Sequence, residues 1–113
     1  MNEAVKEYLE KFPPEVRSMY AELRELLYGS VPREISEKLW ARLPSYTVGD
    51  FFVRLIPFKD HINLEARAVV RYAEELKEYK ITPKGMLQLY VDQKLPLDVL
   101  ERIFWETLGE EQT

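Results

Sequence analysis

The chain has 113 residues, of which 46% are hydrophobic and 32% are charged, and its formal net charge at pH 7 is −4. These values are typical of a globular protein, so residues 1–113 are expected to form one domain around one core. Cysteine is absent, which excludes disulfides and thiolate metal sites, and no apolar run approaches the ~20 residues of a membrane-spanning helix. The start of the chain lacks a signal-peptide pattern. We therefore expect a cytoplasmic protein without a membrane partner, and the acidic net charge argues against binding to nucleic acid.

Two helices are predicted at the start of the chain. The first carries an apolar stripe between Val5 and Phe12 and ends at Pro13-Pro14. The second carries a stripe between Val16 and Leu27, and Gly29 is a suitable residue to end it. A tight turn between the two helices predicts an antiparallel pair.

The middle of the chain has the two-residue period of β-strands. The segment from Ile35 to Tyr46 is predicted to be one strand, because apolar and polar residues alternate in it. Residues 51–64 contain two β-rich runs on either side of Phe58-Lys59-Asp60, which predicts a hairpin at the centre of an antiparallel sheet. The apolar face of this hairpin is expected to consist of Phe51, Val53, Leu55, Ile62 and Leu64.

The second half of the chain predicts a helix, a strand and a last helix. The helix is expected between Arg67 and Tyr79 and the strand between Met86 and Val91. Pro96 opens the last helix, whose apolar stripe reaches Leu108, and the tail after it is expected to fray. The predicted fold class is α+β, in the order α-α-β-β-β-α-β-α, with a mainly antiparallel four-stranded sheet packed against helices.

Several short motifs, in this order and spacing, also occur together in a known family. They are Tyr8-Leu9, Pro13-Pro14-Glu15-Val16, Lys38, Leu43-Pro44, Phe58-Lys59-Asp60-His61-Ile62, Lys84-Gly85-Met86-Leu87-Gln88 and Leu95-Pro96-Leu97. Through these motifs, residues 3–108 resemble the YdhG-like family, which consists of bacterial domains of largely unknown function. The resemblance implies an antiparallel sheet covered by helices. It also implies iron handling, because some members are described as frataxin-like iron chaperones.

An iron site that included His61 would need ligands from other strands, which the sequence does not identify. A weaker site could instead use carboxylate oxygens, which suit a hard cation such as ferric iron. Glu3, Glu7 and Glu10 follow one another at helical spacing and form an acidic ridge on the first predicted helix. We consider this ridge the candidate metal site. The alternative interpretation is an ordinary solvated helix face.

The polar side of the predicted sheet is the second candidate site. Strand parity collects cations, aromatic rings and amides there: Lys38, Trp40, Arg42, Phe52, Arg54, His61, Asn63, Gln88 and Tyr90. Such a mixture suits an anionic or planar ligand, held by charge-assisted hydrogen bonds and stacking. The alternative is a half-exposed face whose side chains only pack against one another.

Catalysis has little support in the sequence. No serine lies in a Gly-x-Ser-x-Gly motif, and His61 is the only histidine. We therefore predict a non-enzymatic binding protein. Its function would be iron delivery, as the resemblance implies, or the binding of a small anionic ligand or a protein partner on the sheet.

Overall fold

The computed structural model describes residues 1–110. Three α-helices, a 3₁₀-helix and a π-helical turn make up its helical part. They are α1 (Glu3–Leu9), α2 (Pro14–Ser30), the 3₁₀-helix (Arg67–Tyr72), α3 (Leu97–Phe104) and the π-helical turn (Trp105–Gly109). None of the helices within residues 1–110 is both long enough and apolar enough to span a membrane.

The β-strands form one antiparallel sheet of six strands in the order β1-β2-β3-β4-β6-β5. Its strands are β1 (Ser36–Trp40), β2 (Leu43–Val48), β3 (Phe51–Pro57), β4 (His61–Glu65), β5 (Lys80–Ile81) and β6 (Leu87–Tyr90). The α+β class and the antiparallel sheet are confirmed, whereas the expected number of four strands is wrong.

The two extra strands lie in two segments where the sequence pattern predicted the wrong structure. Ile35–Tyr46 was expected to be one strand, but Ala41 and Arg42 turn the chain, with φ of 53° and 67°, and divide it into β1 and β2. A two-residue hairpin turn with positive φ at both positions normally uses glycine, asparagine or aspartate. Because neither residue is of these types, the turn carries no sequence signal. The other extra strand is β5, only two residues long.

The predicted helix between Arg67 and Tyr79 is also wrong over most of its length. The regular part is the 3₁₀-helix Arg67–Tyr72, and turns follow it. Ala66, at its N-cap, offers no side-chain hydrogen bond, and β-branched Val69 and Val70 weaken an α-helix. Of the four residues that helical spacing places on one face of this segment, Val69 and Leu76 are buried, Tyr72 is half-buried and Ala73 is exposed.

The last helix continues beyond the expected pattern. It begins at Leu97, directly after Pro96, and passes from α3 into the π-helical turn, which ends at Gly109. Gly109 is buried rather than frayed, because its position close to the Trp105 ring and Pro32 leaves little room for a larger residue. Glu110, the next residue of the expected frayed tail, is exposed and donates its backbone N–H to the Trp105 carbonyl at 2.8 Å. Residues 111–113 lie outside the described residues.

The core lies between the sheet and a single layer of helices. The central hairpin is confirmed: β3 and β4 are neighbours joined through Phe58-Lys59-Asp60, and Val53, Leu55, Ile62 and Leu64 are fully buried. These four side chains belong to one cluster with the buried apolar residues of all the helices. The helices therefore cover one side of the sheet and leave its other side helix-free.

A nearly buried carboxylate fastens the helices to the edge of the sheet. Glu37 on β1 accepts hydrogen bonds from Arg24 Nε on α2 at 2.6 Å and from the Tyr46 hydroxyl on β2 at 2.8 Å. It also accepts one from the backbone N–H of Asn2 at 2.6 Å. The Asn2 side chain caps α1 and donates to the backbone carbonyl of Glu37 at 3.3 Å. Behind them, the hydroxyls of Tyr20 and Tyr46 lie 2.7 Å apart.

These contacts change the pKa values of the network. Burial alone would raise the pKa of Glu37, but the hydrogen bonds from Arg24, Asn2 and Tyr46 outweigh it and hold the pKa below its usual range. Burial raises the pKa values of Tyr20 and Tyr46 well above that of a free tyrosine. Both phenols therefore stay protonated and can donate hydrogen bonds.

Glu37→Gln is expected to lower the free energy of unfolding at neutral pH by about 2–4 kcal/mol, because it leaves Arg24 without its charged partner. The folded pKa of Glu37 lies below its unfolded value, so its stabilisation is present above the ordinary glutamate pKa of about 4.3. That stabilisation is lost as the pH falls through the folded pKa. Urea unfolding between pH 7 and pH 3 measures both effects. Glu34→Gln, an exposed neighbour, is the control, and equal losses in the two variants would contradict the role of Glu37.

Candidate binding face of the sheet

The register of the strands places most of the predicted ligand-binding residues on the helix-free side. This set, which we call the sheet face, consists of Lys38, Trp40, Phe52, Arg54, His61, Asn63, Gln88 and Tyr90. Arg42 does not belong to it by strand parity, because it lies in the turn between β1 and β2. The sheet face divides into two stacked clusters with Asn63 between them.

The first group, the arginine cluster, consists of Trp40, Phe52, Arg54, Ser45 and Glu65. The guanidinium carbon of Arg54 lies 4.3 Å from the Trp40 ring centroid and 4.8 Å from that of Phe52. Arg54 Nη1 donates to Glu65 Oε1 at 3.1 Å, and Nε donates to Ser45 Oγ at 3.4 Å. The side chain of Arg54 is only 15% exposed. The cation expected to grip an anionic ligand is therefore already paired with a carboxylate of the same face.

The second group, the histidine cluster, consists of Phe58, Asp60, His61 and Tyr90. The His61 ring stacks on Phe58 at a centroid distance of 4.6 Å and on Tyr90 at 4.7 Å. Its Nδ1 lies 2.7 Å from Asp60 Oδ1, whereas Nε2 has no hydrogen-bond partner among residues 1–110. When Nδ1–H donates to the carboxylate, Nε2 of the neutral ring is left as an acceptor. The cluster therefore presents one oriented ring nitrogen between two aromatic rings.

Asn63 lies at the centre of the face, two positions along β4 from both His61 and Glu65. It pairs across the strands with Ile56 on one side and Gln88 on the other. Its side-chain oxygen is buried and accepts no hydrogen bond from any described residue. Its side-chain nitrogen has only the Met86 sulfur as a partner, at 4.0 Å. The amide is therefore almost wholly unsatisfied.

The charges of the face differ from those of the whole chain. The Glu65 carboxylate is paired with Arg54, whereas Asp60 contacts a His61 ring that carries charge only when it is protonated. Lys38 and Lys80 make no ion pair within residues 1–110, and strand parity places Lys80 on the same side as Gln88. The sheet face is therefore locally positive in a chain with a net charge of −4.

The predicted metal site is not assembled. Glu3, Glu7 and Glu10 are exposed, on α1 and at its C-cap. Seven residues of helix separate the first from the last by about 10 Å along the axis, too far for one ion. Within residues 1–110, no group of three or more histidine, aspartate and glutamate side chains is placed to hold a metal ion.

Several residues that shape the site were not among the predicted ones, and Glu65, Phe58 and Met86 are examples. Glu65 reaches Arg54 because the β3–β4 register pairs these two positions. The register of the predicted hairpin was therefore the signal in the sequence that could have identified Glu65. Phe58 contacts His61 because the hairpin brings their rings together. Met86 lies 23 positions from Asn63, and no local pattern connects them.

Comparisons of the chain with protein-family models, curated proteins and solved structures found no match. The resemblance to the YdhG-like family therefore stays a prediction.

Arg54→Gln is expected to lower the free energy of unfolding by about 1–2 kcal/mol, since it removes a half-buried ion pair and two cation–π contacts. Glu65→Gln should cost less, because it leaves Arg54 stacked on both rings. A double-mutant cycle measured by urea unfolding gives the coupling between them, expected to be about 0.5–1.5 kcal/mol. Arg42→Gln in the turn is the control and should be nearly neutral. A coupling of zero would show that the ion pair does not hold the arginine in place.

Proposed function

We propose that the protein is a non-enzymatic binding protein whose sheet face holds a planar, anionic ligand. The observation that supports this most is the combination of outward-facing aromatic rings, fixed in stacks, with cations that have no partner. The proposal assigns binding to the face and no reaction.

The aromatic rings favour a planar ligand. Trp40 is 49% exposed and Phe58 is 41% exposed, although each is held from within by Arg54 or His61. Exposed aromatic surface costs hydrophobic free energy in water, and a ligand that stacks on it recovers that free energy. Because the rings are already held by their neighbours, little side-chain entropy is lost when a ligand binds.

The charges favour an anion. Glu65 is neutralised by Arg54, whereas Asp60 keeps its charge beside the neutral His61 ring. The two unpaired lysines, Lys38 and Lys80, outnumber this one carboxylate and give the face its positive sign. The helices on the far side carry much of the excess of acidic residues, including Glu22, Glu25 and Glu101. Such segregation of charge directs an anion to the sheet face even though the whole chain is acidic.

Iron delivery, which the family resemblance implies, stays a prediction without support from the geometry of α1. The acidic ridge also lies on a helix whose buried residues contact the opposite side of the sheet. It would act independently of the sheet face.

A thermal-shift screen of carboxylates, nucleotides and sugar phosphates tests the proposal. An anion that binds the folded protein should raise its melting temperature as the ligand concentration rises. Trp40→Ala and Lys38→Gln should each reduce the shift, measured against the ligand-free melting temperature of the same variant. Arg54 is unsuitable for this test, because its substitution also weakens the fold.

The chain offers matched controls for both substitutions. Trp105 is 44% exposed, close to the value for Trp40, but it lies in the π-helical turn on the helical side. Lys77 is exposed in the turns after the 3₁₀-helix. Trp105→Ala and Lys77→Gln should leave the shift unchanged. If no compound shifts the wild type, or if the control variants lose the shift equally, the sheet face is not the binding site.

A further inference from the structure

We infer that Asn63 forms the polar base of a nucleobase subsite that the Met86 side chain covers in the ligand-free protein. The inference rests on the proposed function and names the chemical class of its ligand, a base carrying an anionic group such as a nucleotide. It comes from one buried amide whose hydrogen-bonding groups are left unused.

A buried amide without partners is unusual in a folded protein. Nearly all buried polar groups form hydrogen bonds, because an unpaired one loses its interaction with water and gains nothing in return. Asn63 is only 9% exposed, its Oδ1 has no partner within residues 1–110, and a thioether sulfur at 4.0 Å is a weak acceptor for its nitrogen. Turning the amide by 180° would not satisfy it either, because one of its two polar atoms would still face the Met86 sulfur and the other would still have no partner.

The chemistry of the amide matches the edge of a nucleobase. A carboxamide places a donor beside an acceptor in one plane, and the edges of nucleobases present the complementary pair, as adenine does with N6–H and N7. The surroundings suit a flat ring as well. Buried Ile56 supplies an apolar neighbour on β3, and the stacked rings of His61 and Tyr90 lie next along the face. Unpaired Lys80, which pairs with Gln88 across the strands, is available to an anionic group.

Met86 is suited to act as a movable cover. Its side chain is half-buried and is unbranched, with a flexible thioether that adopts new rotamers readily. The contact with Asn63 that it would give up is weak. A base that displaces the thioether would replace a poor hydrogen bond with two good ones.

The test compares binding and stability in the same variants, with AMP, adenosine, ribose 5-phosphate and inorganic phosphate as probes in calorimetry. Asn63→Leu keeps the approximate shape and removes the amide. It should lower the affinity for AMP about tenfold or more while leaving the melting temperature unchanged or higher. Met86→Ala should raise the affinity for AMP severalfold, because no side chain then has to move away from the Asn63 amide before the base can bind. Ribose 5-phosphate and phosphate, which lack the base, should bind more weakly than AMP.

The control is the other buried unpaired oxygen among residues 1–110, Thr107 Oγ1, in the π-helical turn. Thr107→Val should likewise leave the melting temperature unchanged or higher, but it should not alter AMP binding. A fall in melting temperature on Asn63→Leu would overturn the inference, because the amide would then be making structural hydrogen bonds.

Two further outcomes separate this inference from the proposed function. If wild type and Asn63→Leu bind AMP equally and Trp40→Ala weakens both, the subsite is wrong and the sheet face still binds anions. If none of the probes and none of the screened anions binds the wild type, the proposed function fails and this inference fails with it.

Discussion

The fold depends most on the carboxylate of Glu37, a nearly buried charge that ties parts of the chain far apart in sequence. It holds α2 through Arg24, the second strand through Tyr46 and the first residues through Asn2. A buried carboxylate is costly unless its lone pairs are used, and here each oxygen accepts at least one hydrogen bond from a side chain or the backbone. This requirement fixes the distance between the helical layer and the β1 edge of the sheet.

With the helices held on one side, the other side of the sheet has to cover its strands with its own side chains. It does so by stacking: a guanidinium lies against two rings in one cluster, and an imidazole lies between two rings in the other. Flat groups cover the strands and leave their own outer surfaces open to water. The properties that make this side stable without a helix are therefore the same ones on which the proposed binding rests, since the rings are held in place without a ligand.

Local patterns in the sequence predicted the parts of the molecule that depend on local chemistry. The hairpin around Phe58–Asp60 and the burial of Val53 and Leu64 followed from alternation, which determines the face on which each side chain lies. The turn at Ala41 and Arg42 was beyond such reasoning, because positive φ at these residue types is imposed by the pairing of the strands. Strand parity likewise placed Arg54 on the helix-free side of the sheet. It could not show that Glu65 forms an ion pair with Arg54, because that contact depends on which residues of β3 and β4 are paired. The unsatisfied amide of Asn63 depends on a contact with Met86, which only the folded chain establishes.

The edges of the sheet carry features that hinder pairing with a strand of another chain. An open edge strand presents free N–H and C=O groups, which invite pairing with another chain and growth into fibrils. Here β5 offers only two residues, and β1 carries a lysine at its midpoint. The amide of Asn2 occupies the carbonyl of Glu37, a group that a docking strand would need. Its side chain thus begins a helix and at the same time blocks the approach of a foreign strand, so loss of this asparagine would both remove the cap of α1 and uncover the edge of the sheet.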